Sequence, residues 1–162
     1  MKKYFVMMTC VLMYTSTAWS QGNIDIKKYK FDMSIPEGFG FKLTEKEGFV
    51  KIEGYNAESD TKINAYAYVG AIDKSKVYAF GAKESGIAKE SWEQVNNGTD
   101  DNGFAWWEMY EAQVGQKMMY AVVAKNKYNE VYYMFYALAD PASIEKYQDQ
   151  YLEWAMSCKG IK

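Results

Sequence analysis

From Phe31 onward apolar and polar positions alternate. Phe31, Met33 and Ile35 interleave with Lys30, Asp32 and Ser34, the two-residue period of a strand. Pro36, Glu37 and Gly38 close it as a turn. Phe39 to Leu43 and Phe49 to Tyr55 predict further strand, separated by a polar turn over 45–48, and 57–61 is another polar break. Over 62–72, Ile63, Ala65, Ala67, Val69 and Ala71 take one face and Tyr66 and Tyr68 the other. Asp73 to Ser75 offers a helix start. The spacing of Val77, Phe80, Ile87, Ala88, Trp92 and Val95 then predicts a helix, which Gly81 and Gly86 weaken. Residues 96–103 (NNGTDDNG) predict a loop.

Three strands follow, over 104–113, 117–126 and 130–139, with links so short that they form an antiparallel meander. The second and third are apolar on both faces: Met119, Ala121 and Val123 oppose Met118, Tyr120 and Val122. Strands of that kind are covered on both sides, so the meander is central with helices on each face. The strand over 104–113 carries Glu108 on one face and Glu111 on the other, which places it nearer an edge. The closing helix has Asp140 as cap and Pro141 in its first turn. Ile144, Tyr147, Tyr151, Trp154, Ala155 and Cys158 make its apolar stripe, and Gly160 ends it.

Ahead of this pattern, Lys2 and Lys3 precede an uncharged run from Tyr4 to Tyr14, and Ala18-Trp19-Ser20 has small residues where a signal peptidase reads them. The apolar run is about a dozen residues, against about 20 for a spanning helix. A cleavable signal peptide over 1–20 is therefore expected, with cleavage between Ser20 and Gln21. A polar, loosely ordered lead-in over 21–29 follows, then a single domain over 30–162, soluble in the periplasm or secreted. All 19 basic residues are Lys, and there is no Arg and no His. Losing Lys2 and Lys3 leaves 17 Lys against 21 acids. That balance argues against nucleic acid or an anionic membrane as partner. Without His there is no Ser-His-Asp or Cys-His system and no imidazole-ligated zinc. Cys10 leaves with the signal, so Cys158 is expected as a lone, buried, reduced thiol, and no cofactor is expected.

Phe31 to Phe39 (FDMSIPEGF) resembles the strand–Pro–Gly–aromatic opening of PsbP-like domains, and the order of elements over about 30–160 is similar to theirs. The resemblance implies an α+β fold: an α/β/α sandwich whose central antiparallel sheet, with its three-stranded C-terminal meander, is flanked by helices. It also implies a binding or assembly factor rather than an enzyme. Basic and His residues linked to binding in some members have no counterparts here, and the closing Ser-Phe of bacterial relatives reads Ser157-Cys158. No functional residue carries over.

Candidate sites come from the residues alone. Glu108, among Phe104, Trp106 and Tyr110 on one strand face, would have a raised pKa and suit a general acid if the aromatics desolvated it; a Glu near a sheet edge reaching water or a Lys is the plainer reading. With an acid of the 100–101 segment it would make a glycosidase-like hydrolase, the alternative function. Asn96, Asn97, Asp100, Asp101 and Asn102 offer oxygens for Ca²⁺, but EF-hand spacing is absent and a polar turn fits better. Aromatics make up 17% of the chain, more than the sheet and two helix stripes need for a core. Trp106, Trp107, Tyr110, Asp100 and Asp101 are accordingly the expected contact residues of an exported, non-enzymatic binding module for a protein or glycan. Trp106 and Trp107 are adjacent on a strand and leave opposite faces.

Overall fold

The two-sided apolar strands sit at the centre of the molecule. A computed structural model describes residues 23–26, 29–70 and 73–162, with the expected signal peptide and the Ala71–Ile72 end of the predicted strand outside them. Its strands are β1 (Asn23–Ile26), β2 (Phe31–Ser34), β3 (Gly40–Lys46), β4 (Phe49–Asn56), β5 (Thr61–Val69), β6 (Glu93–Asp101), β7 (Phe104–Val114), β8 (Lys117–Asn126), β9 (Val131–Ala139) and β10 (Lys159–Gly160). Helix α1 spans Lys74–Ser85 and α2 Pro141–Ser157. A seven-stranded sheet runs β3-β4-β5-β9-β8-β7-β6, every pair antiparallel, and a small sheet runs β1-β2-β10.

Each face of the large sheet has its own core. On one, Ile63, Ala65 and Phe135 pack with Phe31 and Met33 of β2 and with Ile144, Tyr151 and Trp154 of α2. On the other, Tyr66, Tyr68, Met134 and Tyr136 pack with Val77 of α1 and with Ile87 and Trp92. This is the α+β sandwich that the resemblance implies, with the meander covered on both faces as its two-sided apolar strands predict. Each large side chain taken from water contributes about 1.5–3 kcal/mol. Cys158 is free and fully buried, and burial first of all pushes its thiol well up from the usual value.

Five expectations are corrected. The middle helix stops at Ser85, because Gly86 caps it in the left-handed region (φ 72°). Ile87 and Trp92 reach the same core from a 3-10 turn over Lys89–Ser91 and its flanks, so a helical spacing persisted without a helix. Gly81 is there for contact: a Cβ at that position would collide with the Met134 Sδ of β9. Residues 96–101 are strand, not loop; they pair with β7, and the turn proper is confined to the hairpin tip, where Asp100, Asn102 and Gly103 have positive φ. Their polarity reflects an edge position exposed to water. Phe104 is on the opposite face from Trp106 and Glu108, because a bulge at Ala105 shifts the register. Helix α2 ends at Ser157 with Cys158 as its cap, and Gly160 pairs instead with Phe31. The lead-in also supplies a strand, since Asn23–Ile26 pairs with β2.

Candidate functional site

Strand β7 has a closed face and an open one. On the α1 side, the Lys74 Nζ lies 4.4 Å from the centre of the Trp106 ring and 2.6 Å from Glu108 Oε1. The Tyr78 hydroxyl donates to Glu108 Oε2, and the Tyr110 hydroxyl donates to the same oxygen at 2.8 Å. Lys89 caps Tyr110, its Nζ 4.5 Å from the ring centre. Burial alone would raise the Glu108 carboxyl, but the bonds from Lys74, Tyr78 and Tyr110 more than offset it and hold the pKa below the usual value. Glu108 is therefore a satisfied ion-pair carboxylate, near the edge and held by a Lys, and not the raised-pKa general acid of the hydrolase alternative.

A carboxyl whose folded pKa lies below its unfolded one stabilises the fold above the unfolded value, and that contribution is lost as pH falls through the folded value. Glu108→Gln is expected to cost about 2 kcal/mol at neutral pH. The gap from the unaltered protein should narrow by about pH 3, where the unfolded carboxyl is protonated. Urea unfolding of both proteins across that range checks it.

On the α2 side, a groove of about 460 Å³ opens between the β6–β7 hairpin and the helix. Phe104, Trp107 and Met109 form its floor, and Leu152, Ala155 and Met156 of α2 its far wall. Met156 is 66% exposed. Trp107 is seated on Gly98 of β6, where a Cβ would come within 2.6 Å of the indole. The ring therefore lies across β6 toward the outer edge of the sheet. Asp101 and Glu111 supply carboxylates, and Asn96, Asn102, Gln148 and Tyr120 the neutral polar groups. Burial and then Glu111 push the Tyr120 hydroxyl up to about 12, and Tyr120 accepts from Gln148 Nε2 at 3.1 Å.

The expected contact residues thus separate. Trp106 and Trp107 do leave opposite faces; Trp106 is covered by Lys74, and Trp107 opens on the groove. Tyr110 is 6% exposed, packed against Trp92 and bonded to Glu108, so it is core and not surface. Asp101 lines the groove, whereas Asp100 pairs with Lys127 at 2.9 Å on the hairpin tip. Asn96 and Asn97 are successive strand residues that face opposite sides, so their oxygens do not converge on a cation. Among the described residues no group of three or more Asp, Glu, Cys or His side chains is placed to hold a metal. Leu152 and Met156, four apart and off the buried stripe of α2, were the readable signal for the helix wall. Gly98 gave no such signal, because its role depends on its partner across the ladder.

No protein-family model matches the chain, and no curated protein matches it in sequence. Solved structures do. The cyanobacterial PsbP, CyanoP, from Synechocystis sp. PCC 6803 is similar over 86% of this chain and 91% of that one, with a TM-score of 0.58 and 13% identity. The Ran-binding protein Mog1p of Saccharomyces cerevisiae is similar over 90% of this chain and 97% of that one, with a TM-score of 0.51 and 8% identity. Identities this low speak for architecture alone. The chain has the PsbP-like fold.

Proposed function

We propose that the chain is an exported, non-enzymatic binding or assembly module, and that its partner docks in the groove between the β6–β7 edge and α2. The observation that carries this reading is Trp107: a half-buried indole, seated on a glycine and facing an apolar wall on α2. A rigid aromatic in a partly desolvated pocket brings large contact area at little entropy cost. Trp106, covered by Lys74, braces the closed face. The fold supports the reading in that Mog1p, built on the same architecture, is a Ran-binding protein. Export rests on Lys2, Lys3, the uncharged run to Tyr14 and Ala18-Trp19-Ser20. No helix among the described residues is long and apolar enough to cross a membrane.

The test compares the two sheet edges. Val95 on the β6 edge and Leu43 on the β3 edge are 44% and 43% exposed, so both are equally open to a photo-crosslinking residue. In the host envelope, the residue at 95 is expected to give discrete adducts and the one at 43 none. Trp107→Ala should abolish the adducts, and so should Gly98→Val, which keeps the indole but unseats it. Equal adducts from both edges, no adducts, or adducts unchanged in variants that melt like the unaltered protein would overturn the reading.

A further inference from the structure

We infer that the groove takes an extended, Lys- or Arg-bearing segment of a protein partner, added as a strand along the open edge of β6. The inference rests on the groove being the docking site, and it adds the chemistry of what docks.

Charge is the first observation. Asp101 and Glu111 line the groove, and Glu93 lies directly across the ladder from Glu111, on the same face. Like charges in directly opposite positions destabilise a sheet. The ion pairs elsewhere use Glu53, Glu84, Asp100, Glu108 and Glu130, and among the described residues no lysine pairs with Glu93, Asp101 or Glu111. In a chain with 19 Lys this is an uncompensated acidic rim around an apolar floor. A cationic partner relieves that repulsion, whereas an anionic one adds to it.

The edge is the second. Among the described residues β6 is the terminal strand of the large sheet, and its outer row of N–H and C=O groups has no strand partner there. Over Glu93–Asp101 it carries no Lys and no Pro, the residues that usually keep an edge from pairing. The bulge at Val95 leaves Asn96–Thr99 in unbroken register with β7. An added strand would gain main-chain hydrogen bonds there and send every second side chain to the groove face. Because Trp107 lies over Gly98, one of those side chains would meet the indole. A cation over an indole face is a favourable contact, and Lys74 makes it with Trp106 at 4.4 Å.

The test uses three labelled synthetic peptides of equal length, alternating Val with Lys, with Gln or with Glu, titrated against the purified exported protein by fluorescence anisotropy. The Lys peptide is expected to bind at least about tenfold more tightly than the Gln peptide, with the Glu peptide weakest and the preference shrinking as salt rises. Glu111→Gln and Asp101→Asn should each weaken the Lys peptide several-fold. Glu111→Gln should at the same time melt no lower than the unaltered protein, since it removes a like-charge pair. Amide exchange should slow over 96–101 on binding, and N-methylation of alternate peptide amides should abolish binding. Equal affinity for Lys and Gln peptides, acid variants that bind normally, or unchanged exchange in β6 would overturn the inference. If those results came with Trp107-dependent crosslinks from position 95, the groove would stand as the docking site and only its preference for a basic strand would fall. If the crosslinks were absent as well, both would fall.

Discussion

Replacing Gly103 by Ala is expected to lower the melting temperature by about 10 °C. Gly103 has φ 77°, where a side chain costs upwards of about 1 kcal/mol. Its Cβ position is also occupied, because it would collide with the Gly160 carbonyl oxygen. That obstacle is backbone, which cannot swing aside as a side-chain tip would. The approach is held from both sides: the Gly160 N–H donates to the Asn102 carbonyl at 3.1 Å, and the Lys127 N–H donates to the Gly103 carbonyl at 2.9 Å. Overpacking of this kind costs about 1–3 kcal/mol, so the total is about 3 kcal/mol, or roughly 3 °C for each kcal/mol in a domain of this length. Gly115 is the control. It also has positive φ, 62°, but a Cβ there meets nothing within 4 Å among the described residues. Gly115→Ala should therefore lose only the conformational part, about 1 kcal/mol. Equal melts for the two variants would mean that the β6–β7 hairpin does not rest on β10.

The contrast between these glycines shows what could be read from the sequence. Features set by a residue's own neighbours were legible. The alternation of Phe31, Met33 and Ile35 became β2, and the two-sided apolar runs became β8 and β9 at the centre of the sheet. Asp140 caps α2 as its position suggests, accepting from the Ser143 N–H at 3.0 Å. Features set by partners distant in the chain were not legible. Gly81 read as a weak point in a helix and Gly98 as one residue of a polar loop; each instead admits a large side chain from another strand, Met134 in one case and Trp107 in the other. Gly160 read as a helix stop and is a seat for the β6–β7 hairpin.

The site divides along the same line. Two adjacent tryptophans on a strand must face opposite ways, so their separation followed from the two-residue period alone. Which of them is covered did not, because Lys74 sits 32 residues upstream of Trp106 and reaches it from α1. Tyr110 looked available for contact for the same reason. Its partners Tyr78 and Trp92 come from α1 and from the turn after it. The polar run at 96–101 misled in the other direction. β6 is exposed along nearly its whole length, so its composition matches a loop, and only pairing with β7 distinguishes the two.

The second large effect is expected where the small sheet is tied to the large one. Asn126 at the end of β8 is buried, and its Nδ2 donates to the Tyr133 hydroxyl at 2.8 Å and to the carbonyls of Ile161 at 3.1 Å and Lys30 at 3.4 Å. Its Oδ1 accepts from the Tyr128 N–H at 2.7 Å. The Tyr133 hydroxyl in turn donates to the Lys30 carbonyl at 2.5 Å and lies 3.2 Å from that of Tyr29. Tyr29 and Lys30 lead into β2, and Ile161 follows β10, so this pair holds both strands against the meander. Asn126→Ala leaves several buried partners unsatisfied and a void behind them, an expected loss of about 3 kcal/mol. Tyr133→Phe keeps the ring and removes one hydroxyl, an expected loss of about 2 kcal/mol. The two share the bond between them and the Lys30 carbonyl, so the double variant should lose about 1 kcal/mol less than the sum. Urea denaturation of the four proteins closes the cycle, and strictly additive losses would show that Asn126 and Tyr133 act apart. Amide exchange adds a spatial check: in either single variant, protection should fall first over Phe31–Ser34 and remain over Val131–Ala139, because the tie is lost while the central ladder is intact.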